Sequence, residues 1–154
     1  NALTAADSVL IPIQCEFYAL DGLTALLDTI KAVKASVNPA LQIEGLLRTM
    51  FDVRNNLGNE VSGQLLKHFG DQVFRTIVPR NVRLAEAPSY GKPVIAFDRS
   101  SKGAQAYSAL AREASQIGAF HLLGGVLASS KWIADIGLPS RAIEIQVSLA
   151  LALA

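Results

Sequence analysis

With 154 residues, 51% of them hydrophobic and 18% charged, the chain has the size and apolar content of one folded domain, which excludes a disordered or fibrous protein. Fourteen basic against thirteen acidic residues leave a net charge of +1, so bulk charge cannot carry it to DNA or an anionic membrane; such binding needs local clustering. Cys15 is the only cysteine, which excludes an intrachain disulfide, and neither His68 nor His121 has a metal-ligand neighbour at useful spacing.

Cytoplasmic localisation is the natural expectation from this cysteine usage, and Cys15 reads as a small buried hydrophobe just past a strand. The opening "NALTAADSVLIPIQ" lacks the basic flank and long apolar core of a signal peptide, and it lacks an initiator Met. It reads as a chain entered in mid-domain. "SVLIPIQ" (8–14) is an apolar run of strand length, after which Leu20, Leu23, Leu27, Ile30 and Val33 recur at helical spacing. "NPA" (38–40) breaks that helix, because the residue before a proline is pushed out of the α region.

A second strand fits "IEGLLRTMF" (43–51), followed by the loop "DVRNNLGN" and a helix with Leu57, Val61 and Leu65 on one face, closed near Gly70. "VFRTIVP" (73–79) predicts a third strand, and "NVRLAEA" a short helix that Pro88 ends. "PVIAFD" (93–98) suits a short extended run, and residues 101–114 a helix using Ala104, Tyr107, Leu110 and Ala111. Strands and helices alternate, and the strands read as continuous apolar runs. Both features predict an α/β fold with a parallel sheet covered by crossover helices.

Beyond residue 114 the composition changes: 115–154 carries only Lys131, Asp135, Arg141 and Glu144 as charges. This predicts a boundary between residues 1–114 and a mostly helical apolar tail, 115–154. The tail's stretches "IGAFHLLGGVLA" and "IEIQVSLALALA" are shorter than the roughly 18 residues needed to cross a bilayer, so no membrane span is expected.

Three blocks, "NALTAADSVLIPIQCEFYALDGL", "LLRTMFDVRNNL" and "IVPRNVRLAEAPSYGKPVIAFDRSSKGAQAY", resemble the C-terminal half of the ParA/Soj family of chromosome- and plasmid-partitioning ATPases, relatives of MinD. The resemblance covers residues 1 to about 114, with the blocks in family order. It implies a P-loop NTPase-like fold of the deviant Walker A type. It further implies binding of ATP with Mg²⁺, an ATP-dependent homodimer, nonspecific DNA as a ligand at the nucleoid, and a ParB-type partner that stimulates hydrolysis.

The family's glycine-rich phosphate loop and switch aspartate have no counterpart in this sequence. Its only Gly-Lys pair, Gly91-Lys92, runs into Pro93. Phosphoryl transfer depends on positioning and charge stabilisation by such a loop, so no ATPase activity is expected of this chain by itself, and a truncated or frameshifted product is the expected origin.

The resemblance puts Pro79, Arg80 and Asn81 beside the adenine, with Met50 and Asp52 at the preceding strand end. By residue type alone, Asn81 equally fits a helix cap in an ordinary strand-end turn. Arg54 and Arg83 match the positions of nonspecific DNA contact, and Arg80, Arg99 and Lys102 extend that patch; by residue type alone they are solvated loop cations. Gln14, Glu16 and Tyr18 fall where relatives face a partner subunit, or form a plain helix entry, and His68 fits a helix C-terminus.

Three other readings stand beside this one. A MinD-like ATPase would end in a basic amphipathic helix, against which the nearly uncharged tail argues. A noncatalytic DNA- or protein-binding module would lack nucleotide turnover. A sheet cut at its centre would expose an unpaired edge and fail to fold stably.

Overall fold

The computed structural model describes residues 1–116. The expected helical tail, its apolar stretches and the absence of a span within it lie outside the described residues. Among the described residues no helix is long and apolar enough to cross a membrane.

One helical turn, α1 (Ala2–Ala5), precedes β1 (Ser8–Gln14), then α2 (Ala19–Ser36), β2 (Gln42–Phe51), α3 (Asn56–Phe69) and β3 (Val73–Pro79). The chain continues through α4 (Val82–Glu86), a 3₁₀ turn at Ala87–Tyr90, α5 (Val94–Phe97) and α6 (Lys102–Gln116). The strands form a parallel sheet in the order β1-β2-β3. Parallel neighbours need a crossover, which α2 and α3 supply.

The periodicity of α2 buries Leu23 and Ile30 against the sheet, and α3 adds Val61 and Leu65. Alternation along β1 sends Val9, Ile11 and Ile13 into this same cluster. Leu65 is wholly buried and Ile30 nearly so, each contributing roughly 1.5–3 kcal/mol of apolar burial. The opposite face holds a smaller cluster of Leu47, Phe74 and Val78 under Leu110 and Ala114 of α6.

Ends are chemically marked. Asn55 caps α3 by accepting from the Gly58 N–H, and Gly70, at φ 44°, terminates it. Asn38, in the "NPA" break, donates from Nδ2 to the carbonyls of Leu3 and Ala6 at 2.9 and 2.8 Å, pinning α1 beside the end of α2.

Three expectations are corrected. "PVIAFD" forms α5, one helical turn in which the Ala96 and Phe97 amides bond back to Pro93 O, because proline at the N-cap presets the entry. Leu57 does not join the buried face of α3; it is 41% exposed, and Gly58 sits inside at that turn. β1, read as a continuous apolar run, is fully buried on one face only; Ser8, Leu10 and Pro12 on the other are half-buried, with Leu10 packed against the smaller cluster.

Candidate functional site

Parallel strands deliver their C-terminal ends to one edge of the sheet, where open α/β folds place ligand residues. Residues after β2 and β3 meet there: the Arg80 N–H donates to Phe51 O at 3.1 Å, and Phe51 stands opposite Pro79 in the strand register. Met50 near the end of β2 and Asp52 and Arg54 just past it therefore share one sheet edge with Pro79 at the end of β3 and with Arg80 and Asn81 beyond it, Arg83 following within α4.

Met50 has φ 52°, the only positive φ at a non-glycine among the described residues, and its side chain is 45% exposed. A left-handed methionine is costly, and such strain clusters at functional edges. Asp52 folds back on the next turn. Its Oδ1 accepts from the Arg54 backbone N–H and Nε at 3.0 Å each, and Oδ2 accepts from Arg54 Nη2 at 2.8 Å. These bonds, with Arg80 nearby, draw the Asp52 carboxyl down to about 2.

Asn81 caps α4, its Oδ1 accepting from the Arg83 N–H at 3.0 Å. The cap anticipated from residue type is thus present. Arg83 is bound by two acids: Nη1 donates to Glu86 Oε2 at 2.7 Å, and Nε lies 3.4 Å from Asp98 Oδ2. Asp98 also accepts from Ser100 Oγ and from the Ser100 and Ser101 amides, which hold its carboxyl below the ordinary range. Gln14, Glu16, Phe17 and Tyr18 are exposed at the end of β1, where the Phe17 and Tyr18 rings meet edge to face at 5.0 Å.

Two groups escaped the sequence reading. β3 is distorted where Leu46 pairs with Val73 but Arg48 with Ile77, so the polar groups of residues 74–76 lose regular partners. Arg48, only 6% exposed, donates from Nη2 to Phe74 O and Arg75 O at 3.0 and 3.3 Å and from Nη1 to Ser62 Oγ at 3.0 Å. Glu113 of α6 takes the matching donors, accepting from the Arg75 and Thr76 amides at 2.7 and 2.9 Å. An arginine inside an apolar strand was the available signal.

Burial pushes the Arg48 guanidinium down and the buried Cys15 thiol up, each moderated by the other's charge. For Glu113, burial pushes upward, but hydrogen bonds from Thr76 and Arg75 hold the carboxyl below its ordinary value.

The edge offers a proline surface, a methionine and amide groups suited to a planar base. Gly91-Lys92, the one Gly-Lys pair in the sequence, closes a tight turn, with Gly91 at φ 61° and the Lys92 N–H spent on Ala87 O. Among the described residues no group of three or more His, Cys, Asp or Glu side chains could hold a metal ion.

A family profile described as "AAA domain" matches residues 1–43. The sporulation initiation inhibitor protein Soj of Bacillus subtilis is 54% identical over 118 residues, 77% of this chain and 47% of that protein. The chromosome partitioning protein ParA of Myxococcus xanthus is 58% identical over 113 residues, 73% of this chain and 40% of its own length. The chain thus spans under half the length of these relatives. Among solved structures, cobyrinic acid a,c-diamide synthase from Mycobacterium smegmatis with bound ADP and magnesium matches 84% of this chain and 42% of that one. The TM-score is 0.55 at 29% identity.

Proposed function

Because the homologues of this chain are the Soj and ParA chromosome partitioning proteins, we propose that it supplies the base-facing and DNA-facing edge of an ATP-dependent partitioning ATPase. The observation that carries this reading is the convergence of the two strand-end connections, tied by the Arg80–Phe51 hydrogen bond. Pro79 and Met50 present apolar surface to the adenine, Asn81 and the Arg80 backbone set its orientation, and Asp52 fixes the loop beside it. Arg54 and Arg83 face DNA phosphates without reading bases, which makes binding salt-sensitive and sequence-independent.

In the intact protein, ATP and Mg²⁺ drive homodimerisation and DNA binding, and a ParB-type partner stimulates hydrolysis. The assembly works in the cytoplasm, at the nucleoid. The 154-residue chain holds no phosphate cradle and by itself does not turn over ATP.

A hybrid tests this: the corresponding segment of the Bacillus subtilis Soj protein is replaced by residues 1–114, and binding of a fluorescent ATP analogue with Mg²⁺ is measured. The hybrid is expected to bind and hydrolyse ATP. The double variant Pro79→Ala with Asn81→Ala should weaken binding roughly tenfold, the loss of about one good contact. A folded hybrid without nucleotide binding would overturn the assignment.

A further inference from the structure

The two arginines read as DNA contacts are both engaged by acids of their own chain. Arg54 is 86% exposed, yet it is forked onto Asp52 through both carboxylate oxygens. Arg83 lies between two carboxylates from different segments, Glu86 of α4 and Asp98 ahead of α6, so its surroundings are net negative. Among the described residues, no carboxylate lies within ion-pair distance of Arg80, Arg99 or Lys102. The pairing is therefore selective.

Exposed ion pairs of this kind add little to stability, because solvent screens them and two long side chains must be ordered. Their effect on an incoming anion is larger. A carboxylate bound to a guanidinium occupies the planar fork that a phosphate would use and cancels the charge that attracts it.

We propose that Asp52 and Glu86 are built-in competitors of phosphate: nucleic acid gains Arg54 and Arg83 only by exchanging each carboxylate for a backbone phosphate. This rests on the DNA-facing reading above. Arg80 makes first contact, and the held arginines follow. The device weakens a lone chain on DNA and rewards arrangements that present several phosphates at once.

The test uses the hybrid Soj chain that carries residues 1–114, with Mg²⁺ and a non-hydrolysable ATP analogue, and duplex DNA of random sequence at low salt, read by fluorescence anisotropy. Asp52→Asn keeps the oxygen that accepts from the Arg54 N–H, and Glu86→Gln keeps the length of its side chain. Each should tighten binding about two- to fivefold, the scale of one exposed pair. The gain should vanish for Asp52→Asn in an Arg54→Ala background, and for Glu86→Gln in an Arg83→Ala background.

Equal tightening in those backgrounds would mean a general charge effect and overturn the proposal, as would no tightening while Arg54→Ala and Arg83→Ala still weaken binding. If the arginine variants bind DNA like the unmodified chain, the DNA-facing reading itself fails and takes the proposal with it. Tightening toward inorganic pyrophosphate but not DNA would overturn the assignment to nucleic acid. A carbon-13 titration of Asp52 checks the pair directly: a midpoint well below the ordinary carboxylate value of about 3.9 is expected, and one at that value would overturn it.

Discussion

Arg48 and Arg54 lie on one short stretch of chain and do opposite work. Arg48 is enclosed, and its guanidinium supplies hydrogen bonds that the distorted β3 backbone cannot obtain from β2. Arg54 stands in solvent, paired with the Asp52 carboxylate two residues before it. The difference teaches that an arginine in a strand interior can replace missing sheet hydrogen bonds, whereas one past the strand end is left to a solvent-exposed ion pair.

Interior and edge substitutions should therefore separate cleanly. The largest loss is expected from Leu65→Ala, a wholly buried side chain, at about 3 kcal/mol in denaturant unfolding. Arg48→Met comes next, costing about 2 kcal/mol by leaving the Phe74 and Arg75 carbonyls and the Ser62 hydroxyl without their donor. Part of that loss is offset, because a buried charge is itself costly. A gain in stability for Arg48→Met would break the comparison by showing that β3 keeps its shape unaided.

A smaller effect, about 1 kcal/mol, is expected for Glu113→Gln, whose carboxylate is only partly shielded and accepts from two β3 amides. Its pH dependence has a definite sign. The folded carboxyl titrates below its ordinary value of 4.5, so its contribution is complete above that value and is lost as pH falls through the folded one. Thermal melts of Glu113→Gln should show a weaker decline on acidification than the unmodified chain. A parallel decline would mean that other carboxylates govern acid unfolding.

Least of all should change with Met50→Gly. Relief of a left-handed methionine is set against greater freedom of the unfolded chain, leaving the melting temperature within a few degrees. A large loss would place the Met50 side chain among the packing groups and erase the line between interior and edge.

The sequence by itself determined much of this protein. Strand-length apolar runs marked β1, β2 and β3, the spacing of Leu23 and Ile30 marked α2, and the break at "NPA" marked its end. The alternation of elements fixed the parallel arrangement, since such neighbours need crossovers. The family resemblance also rested on residues alone. These signals are local in the chain.

Tertiary structure decided what no window of sequence contains. Nothing local in the chain marks the partners of Arg48 or Glu113: the fold brings Phe74, Arg75 and Ser62 around the one and sets the β3 amides against the other. Nor could spacing reveal that Arg83 meets Asp98 as well as Glu86, or that Met50 takes a left-handed backbone. The physical reason is shared: local pattern reports which face of an element is apolar, but a polar group's role depends on the donors and acceptors folding brings to it.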